Sequence, residues 1–389
     1  MQPETGSTPA TAAELAQHLA AATDEQRVVV PWGSGTHQHL IGPVPADALV
    51  LHTSRLARVR EYTPADLTIT VETGATLASV QALLAAERQW LPWDPPGAAT
   101  ATIGGLLAAG AAGPLRLGYG TPRDWLLGAT VALSDGRLIK SGGKVVKNVA
   151  GYDLHKLQIG AFGTLGVICE VTFKIAPLPE SQVSGVAVCT SLAEALTLAE
   201  QVRSAPLAPI SLAVADAGAA RLIGITDTAA AVAVRYAGAT AAVERQFAAA
   251  LAAGPFSRLD TEAASALWQA LARFREPAHS AAGTLIVRGG VAPPRIAELA
   301  GILSTTETHS ALLALPGIGV AYAQWHDTTD LAATRASLDA IGGYVVVDNP
   351  PGSRSTDRRG TPPPTLGGKG LPCHRWDAHM ILNRGRYIV

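Results

Sequence analysis

Over the first 180 residues the apolar positions change period every few residues. Residues 12–22 carry them at helical spacing and predict a helix. The run Val28, Val29, Val30 then predicts a short strand, which opens into a loop of small and hydroxylated residues, Trp32, Gly33, Ser34, Gly35 and Thr36. Strands are expected at 48–52, 59–62 and 67–72, the last on the two-residue period of LTITVE. Leu77, Val80, Leu83 and Leu84 share one face of a helix predicted over 77–88. Between 142 and 174 the pattern turns glycine-rich, with Gly151, Gly160, Gly163 and Gly166. It then passes into a strand-like alternation, Val167, Cys169, Val171, Phe173 and Ile175. Glycine lets a backbone lie close to a ligand or turn through positive φ, so this stretch reads either as a cofactor-cradling segment or as a set of tight turns.

After Pro177-Leu178-Pro179 the chain changes character. Strands are predicted at 186–190, 210–215, 221–225, 231–236, 285–288 and 344–347. Helices are predicted at 242–252, 264–274, 295–303 and 331–340, with one more behind Ser191 and Glu194, which have capping-box spacing. Such alternation suits an antiparallel or mixed sheet with helices on one face. The expected domains are 1–179 and 180–350. A Pro-, Gly-, Ser- and Arg-rich linker at 351–372 and an apolar tail at 373–389 that docks back on the first domain follow.

Two stretches carry candidate chemistry. A strand delivering Trp32–Thr36 aims backbone N–H groups and hydroxyls at a phosphate, although neither a Walker lysine nor the GxGxxG spacing follows. Thr102 is placed to cap a short helix whose first turn, Ile103, Gly104 and Gly105, would offer its amides to an anion. The PPG turn at Pro95-Pro96-Gly97 precedes it. Ser134-Asp135-Gly136, between two strand-like runs, predicts a hairpin turn.

Composition narrows the function class. With 389 residues and a net charge of −1, the chain lacks the cationic excess that nucleic-acid binding requires. Residues 95–115 are uncharged, but they are built of Ala and Gly and interrupted by prolines. They are expected to be a buried packing segment and not a membrane span. The N-terminus lacks the pattern of a secretory signal. Cys169, Cys189 and Cys373 include no CxxC, so neither a disulfide framework nor an iron–sulfur or zinc site is expected and no metal is assigned. A cytoplasmic protein, associated with a membrane only through partners, is the expectation.

The blocks PWGSGT, PPG, TIGG leading into AAGAAGP, GYGTPRDWLLG, KNVAGYDLHKLQIGAFGTLGVI and the closing ILNRGR resemble, in order and spacing, the vanillyl-alcohol-oxidase or PCMH-type FAD-binding family. The resemblance covers residues 27–180 closely and the last fifteen residues moderately. VVKNVAGYDLHKL is most similar to the small FAD-binding subunits of bacterial glycolate oxidases. The resemblance implies an α+β fold, in which a PCMH-type domain of two subdomains grips FAD and a smaller α+β cap carries an antiparallel sheet. It places Trp32, Gly33, Ser34, Gly35 and Thr36 on the pyrophosphate, with Thr102, Ile103, Gly104 and Gly105 along it. Pro96, Gly97, Gly151, Asp153, Gly163, Gly166, Val167 and Ile168 would line the rest of the flavin. It also implies a small 2-hydroxy acid substrate, a larger catalytic flavin subunit and an iron–sulfur subunit as partners. Two other readings stand beside it, an accessory FAD-binding or assembly subunit and a stand-alone oxidase of another alcohol or sugar.

Two departures qualify the resemblance. Thr36 stands where covalently flavinylated members have a linking His, with His37 and His39 following, so noncovalent FAD is expected. The cap lacks the family's His-rich block GHxGDGNxH and has only His279, His309, His326, His374 and His379 in the second half. His326 beside Asp327 is the nearest candidate base, and Arg288 a candidate carboxylate ligand or a structural Arg. No catalytic residue is assigned.

Overall fold

Threonines start three helices in the first half. Thr11, Thr76 and Thr102 cap Ala12–Asp24, Leu77–Ala85 and Ile103–Ala109, each accepting the N–H three residues on, so that extended chain passes into helix without an orphaned first turn. These elements belong to a computed structural model that describes residues 6–144, 152–276, 284–305, 309–326, 331–349, 376–384 and 386.

Two larger sheets and a two-stranded pair, Gln89–Trp90 with Ala176–Pro177, form the first half among the described residues. Gly6–Ser7, Leu49–His52 and Val29–Trp32 make a parallel sheet in that order. Val29 lies in a parallel bridge with Leu382, accepts from Asn383 N at 2.8 Å and donates to Ile381 O at 2.8 Å, so the C-terminal residues extend this sheet. The second sheet is antiparallel, in the order Val59–Thr63, Thr68–Glu72, Val167–Lys174, Leu126–Ala132, Leu138–Gly142. Gly136, at φ +81°, turns the hairpin between its last two strands, as Ser134-Asp135-Gly136 predicted. Leu15 and Leu19 of the first helix, Val29, Leu51, Cys169, Ile381 and Leu382 form one buried cluster, which welds both sheets and the C-terminal segment together. Residues 95–115 hold no spanning helix. They form a turn and the helix Ile103–Ala109, buried through Ile103, Leu106 and Leu107, and among the described residues no helix is long and apolar enough to cross a membrane.

The second half is an eight-stranded antiparallel sheet. Its order is Ser257–Arg258, Ser181–Cys189, Ala230–Gly238, Ser211–Asp216, His309–Leu315, Val320–His326, Thr284–Gly290, Tyr344–Asn349. Helices cover both faces, contrary to the one-faced arrangement expected from sequence. Leu192–Ser204, Thr240–Ala253, Ile296–Ser304 and Leu331–Asp339 lie on one face, around Tyr236 and Trp325. Ala217–Leu222 and Thr261–Arg273 lie on the other, around Trp268 and Phe274. Residues 217–222, partly predicted as strand, are helical because Asp216 caps them and accepts from Ala219 N at 2.8 Å. Strands His309–Leu315 and Val320–His326 escaped prediction, since alanine and leucine runs show no two-residue period when both faces of a strand are buried.

The halves meet at named contacts. Gly118 N donates to Ile210 O at 3.1 Å, and Gly97 N to the Glu276 carboxylate at 2.6 Å. The second bond ties the PPG turn to the end of Thr261–Arg273 and fixes the cap over the first domain's mouth.

Candidate cofactor site

The strand Val29–Trp32 is paired with Leu49–His52 along one edge and bonded to residues 381–383 at Val29 on the other, and it stops at Trp32, so the next residues leave the sheet as an unpaired loop. No described group accepts from the backbone N–H of Gly33, Ser34, Gly35 or Thr36. The Ser34 hydroxyl and the Trp32 indole N–H are also buried without a hydrogen-bond partner. Buried side-chain donors without acceptors are costly, and these two, with the four unpartnered backbone N–H groups of the same turn, form a concavity suited to an anion rich in acceptor oxygens. Gly33 is required for closeness: a Cβ there would lie 2.1 Å from Thr102 Oγ1. Gly35 turns through φ +78°.

Facing the loop across a cleft are Thr102, Gly104, Gly105, Thr73 and the Gly163–Ile168 stretch. Thr73, fully buried, donates to Ile168 O at 2.5 Å and accepts through its own carbonyl from Gly104 N at 2.8 Å, so it joins strand, glycine stretch and helix. The helix does not offer free amides. Ile103 N bonds Ala75 O at 2.9 Å, Gly104 N bonds Thr73 O, and Gly105 N turns to Thr102 Oγ1 at 3.3 Å. The expected amide donors are therefore consumed in packing, and the glycines of this wall let it close tightly on its protein neighbours. A Cβ on Gly104 would sit 2.9 Å from Thr73 Cβ, and one on Gly166, at φ +152°, 2.5 Å from Val131.

Of the residues picked out in the sequence, Trp32, Gly33, Ser34, Gly35, Thr36, Thr102, Gly104, Gly105, Gly163, Gly166, Val167 and Ile168 line this one cleft. Ile103 is buried beneath it, and Pro96 and Gly97 border the adjoining cavity. Asp153 is at the surface in an ion pair with Lys156 at 2.8 Å and does not reach the cleft, while Gly151 lies outside the described residues. Thr53, Thr73, Phe162 and Asn383 were missed. Phe162 and Asn383 lay in quoted blocks, QIGAFGTLG and ILNRGR, and the Asn383 side chain holds the glycine stretch by donating to Phe162 O at 2.6 Å.

Beside the loop lies a cavity of about 300 Å³ bordered by Thr36, His37, His39, Gly97, Arg275 and Glu276. A wider one, about 1000 Å³, runs between the halves past Trp90, Trp93, Asp94, Arg235 and Trp268. Burial pushes the Asp94 carboxyl up to about 7, against the pull of the Leu115 N–H and Arg235. Burial, reinforced by Arg275 and His39, pushes His37 down to about 3 and keeps it neutral. The candidates in the cap stand elsewhere. His326 is exposed at a strand end, and Arg288 is held by Asp348 at 3.5 Å.

Residues 5–142 match the family model described as an FAD binding domain. The chain carries a PCMH-type FAD-binding domain. It is 36% identical over 171 residues to the Escherichia coli (strain K12) glycolate oxidase subunit GlcE, covering 44% of this chain and 48% of that protein. To the Bacillus subtilis (strain 168) subunit GlcD it is 31% identical over 204 residues, 52% of this chain and 43% of that protein. To a D-lactate dehydrogenase of Archaeoglobus fulgidus it is 37% identical over 171 residues, 43% and 38% of the two chains. The chain thus spans about half or less of the curated relatives it matches. In fold it is similar over 98% of its length to solved alkyldihydroxyacetonephosphate synthase, with a TM-score of 0.71, 16% identity and 76% of that chain covered. The architecture is therefore the α+β fold of that synthase, a PCMH-type fold.

The residues present fit FAD. Six unpartnered donors in the Trp32–Thr36 loop match a pyrophosphate's acceptor oxygens, and the glycines at 33, 104 and 166 let the loop, the helix and the strand pack closely around the cleft.

Gly33→Ala forces its Cβ against Thr102, and FAD affinity is expected to fall about 10- to 100-fold. Ser34→Ala is expected to cost about 1 kcal/mol, roughly fivefold in Kd. Fluorescence titration of the apoprotein with FAD reads both, and unchanged affinity in both contradicts the cradle. Asp94 supplies a pH test. Its native pKa of about 7 lies above the unfolded value, so the native state holds a proton that the unfolded chain releases. Its contribution to stability is therefore full below about pH 4 and is lost as pH rises to about 7. Denaturant unfolding of wild type and Asp94→Asn across that range is expected to show the variant gaining on wild type as pH rises, and a constant gap contradicts the assignment.

Proposed function

We propose that the chain is the FAD-bearing subunit of a complex that oxidises a small 2-hydroxy acid, with FAD bound noncovalently. Trp32–Thr36 hold the pyrophosphate, Thr102–Gly105 lie along it, and the glycine stretch ending at Gly166, Val167 and Ile168 lines the rest of the cofactor. The observation that carries the reading is the set of unpartnered donors in the loop, opening next to a cavity that contains Arg275. Relatives named as glycolate oxidase subunits and D-lactate dehydrogenases support the substrate class, since both names denote oxidation of a 2-hydroxy carboxylate. FAD when bound supplies a two-electron acceptor. The protein's share is to orient the carboxylate, exclude water beneath the cap and take up the hydroxyl proton. A larger flavin subunit and an iron–sulfur subunit carry electrons onward, and the complex works in the cytoplasm.

A second reading, an accessory FAD-binding subunit, is favoured by the cap, where His309 is engaged with Asp216 at 2.6 Å and His326 is exposed. Absorbance of the purified chain, recorded anaerobically before and after glycolate or D-lactate, separates the two. Bleaching of the flavin band by the chain alone is expected. A flavin that stays oxidised until a partner subunit is added assigns the accessory role, and a chain that takes up no FAD contradicts both.

A further inference from the structure

The cavity beside the pyrophosphate loop joins three pieces of chain: Thr36, His37 and His39; Pro96, Gly97 and Thr100; and Arg275 and Glu276 at the end of the cap helix. Its charges are unevenly satisfied. Glu276 accepts from Gly97 N at 2.6 Å and faces Arg273 at 3.5 Å. Arg275 donates to the Tyr322 hydroxyl at 3.0 Å and lies over that ring, and among the described residues no carboxylate pairs with it. A half-buried guanidinium whose partner is a phenol retains donors for a planar anion. His37 is 9% exposed, with Nδ1 at 3.0 Å from Thr36 Oγ1, and its Nε2 makes no hydrogen bond to a described residue. A cation with spare donors and an imidazole nitrogen thus share one small cavity at the edge of the cofactor cleft.

The geometry points to this cavity as the substrate seat, in which Arg275 binds the carboxylate of a 2-hydroxy acid and His37 accepts the proton of its α-hydroxyl. The inference rests on the reading under Proposed function and names residues for it. The substrate O–H bond breaks and its proton goes to His37. The α-C–H bond breaks with its electron pair transferred to oxidised FAD, the C=O bond forms, and a 2-oxo acid and an imidazolium remain.

The charges around His37 make this proton transfer responsive to substrate. The cavity presents it with Arg275 and Glu276 from the cap helix, and His39 lies on its own turn with rings 6.2 Å apart. Arg386 stands behind that turn, bonded to Gln38, and the strand Tyr344–Asn349 packed on it carries Asp348, paired with Arg288. Without an anion, burial and then Arg275 and His39 keep His37 neutral. A carboxylate on Arg275 cancels the second of these and raises the imidazole's proton affinity at the moment a proton is to be taken.

The test uses the FAD-loaded full chain in two arms. In the first, anaerobic stopped-flow follows flavin reduction by glycolate and D-lactate. His37→Gln and His37→Asn are expected to retain FAD and to reduce it at least about 100-fold more slowly than wild type, and reduction at the wild-type rate by either overturns the proposal. The second arm binds oxalate, a two-carbon dicarboxylate without an oxidisable α-carbon, and follows the His37 imidazole by NMR. Oxalate is expected to raise the His37 pKa in wild type and to leave it unmoved in Arg275→Gln, which should bind oxalate at least about tenfold more weakly. A His37 titration that oxalate does not alter in wild type overturns the proposal. If neither acid reduces the wild-type flavin, the oxidase reading fails. The oxalate arm then decides the seat alone, as it does if both His37 variants lose FAD.

Discussion

The strand Val29–Trp32 is held on both edges, by Leu49–His52 on one side and by residues 381–383 on the other, and its register cannot slip without breaking both sets of bonds. The second edge is bonded at Val29 and the pairing with Leu49–His52 ends at Trp32. The four N–H groups that follow have no acceptor among the described residues, and the Thr102 hydroxyl, 2.1 Å from where a Cβ would stand on Gly33, holds the loop close against the helix. A cradle of unpaired donors is costly in an empty cleft, and a bound pyrophosphate removes that cost. Residues 381–383 thus support the candidate site, although among the described residues of the C-terminal segment only Asn383 lines the cleft, since they pair with the start of the strand that delivers the loop.

The PPG turn couples the cleft to the second half of the chain. Gly97, in the PPG turn, donates to Glu276 of the cap, and the residue before Glu276 is Arg275, whose charge reaches His37 on the turn after the loop. A shift of the cap helix therefore moves an ion-pairing group and the backbone beside the flavin cleft together. Chemistry placed here comes from the junction between domains, and the cap sheet itself supplies Tyr322 as a support for Arg275.

Much of this was legible in the sequence, for a physical reason. A strand followed by glycine and hydroxyl residues is a local pattern, and so are a threonine before a helix and the glycines 163 and 166, whose positive φ excludes other residues. Twelve of the candidate positions accordingly meet in one cleft. What sequence could not display was where each hydrogen bond goes. The Thr102 helix was expected to present amides to an anion, yet Ala75 and Thr73, far along the chain from the loop, consume the first two. Asp153 was grouped with its glycine-rich neighbours, but a lysine three residues on holds it at the surface. His37 and Arg275 are 238 positions apart and belong to no joint pattern. Their proximity is made by the cap fold, whose strands His309–Leu315 and Val320–His326 gave no periodic signal of their own.

The central claim is that the loop's unpaired donors exist to hold the pyrophosphate of FAD. A crystal structure of the full chain grown with FAD tests it most directly. The account predicts pyrophosphate oxygens within hydrogen-bonding distance of the Gly33–Thr36 amides and the Ser34 hydroxyl, with the flavin running between the loop and Gly166. FAD bound with those donors still unpartnered, or with its pyrophosphate at another element, would contradict it.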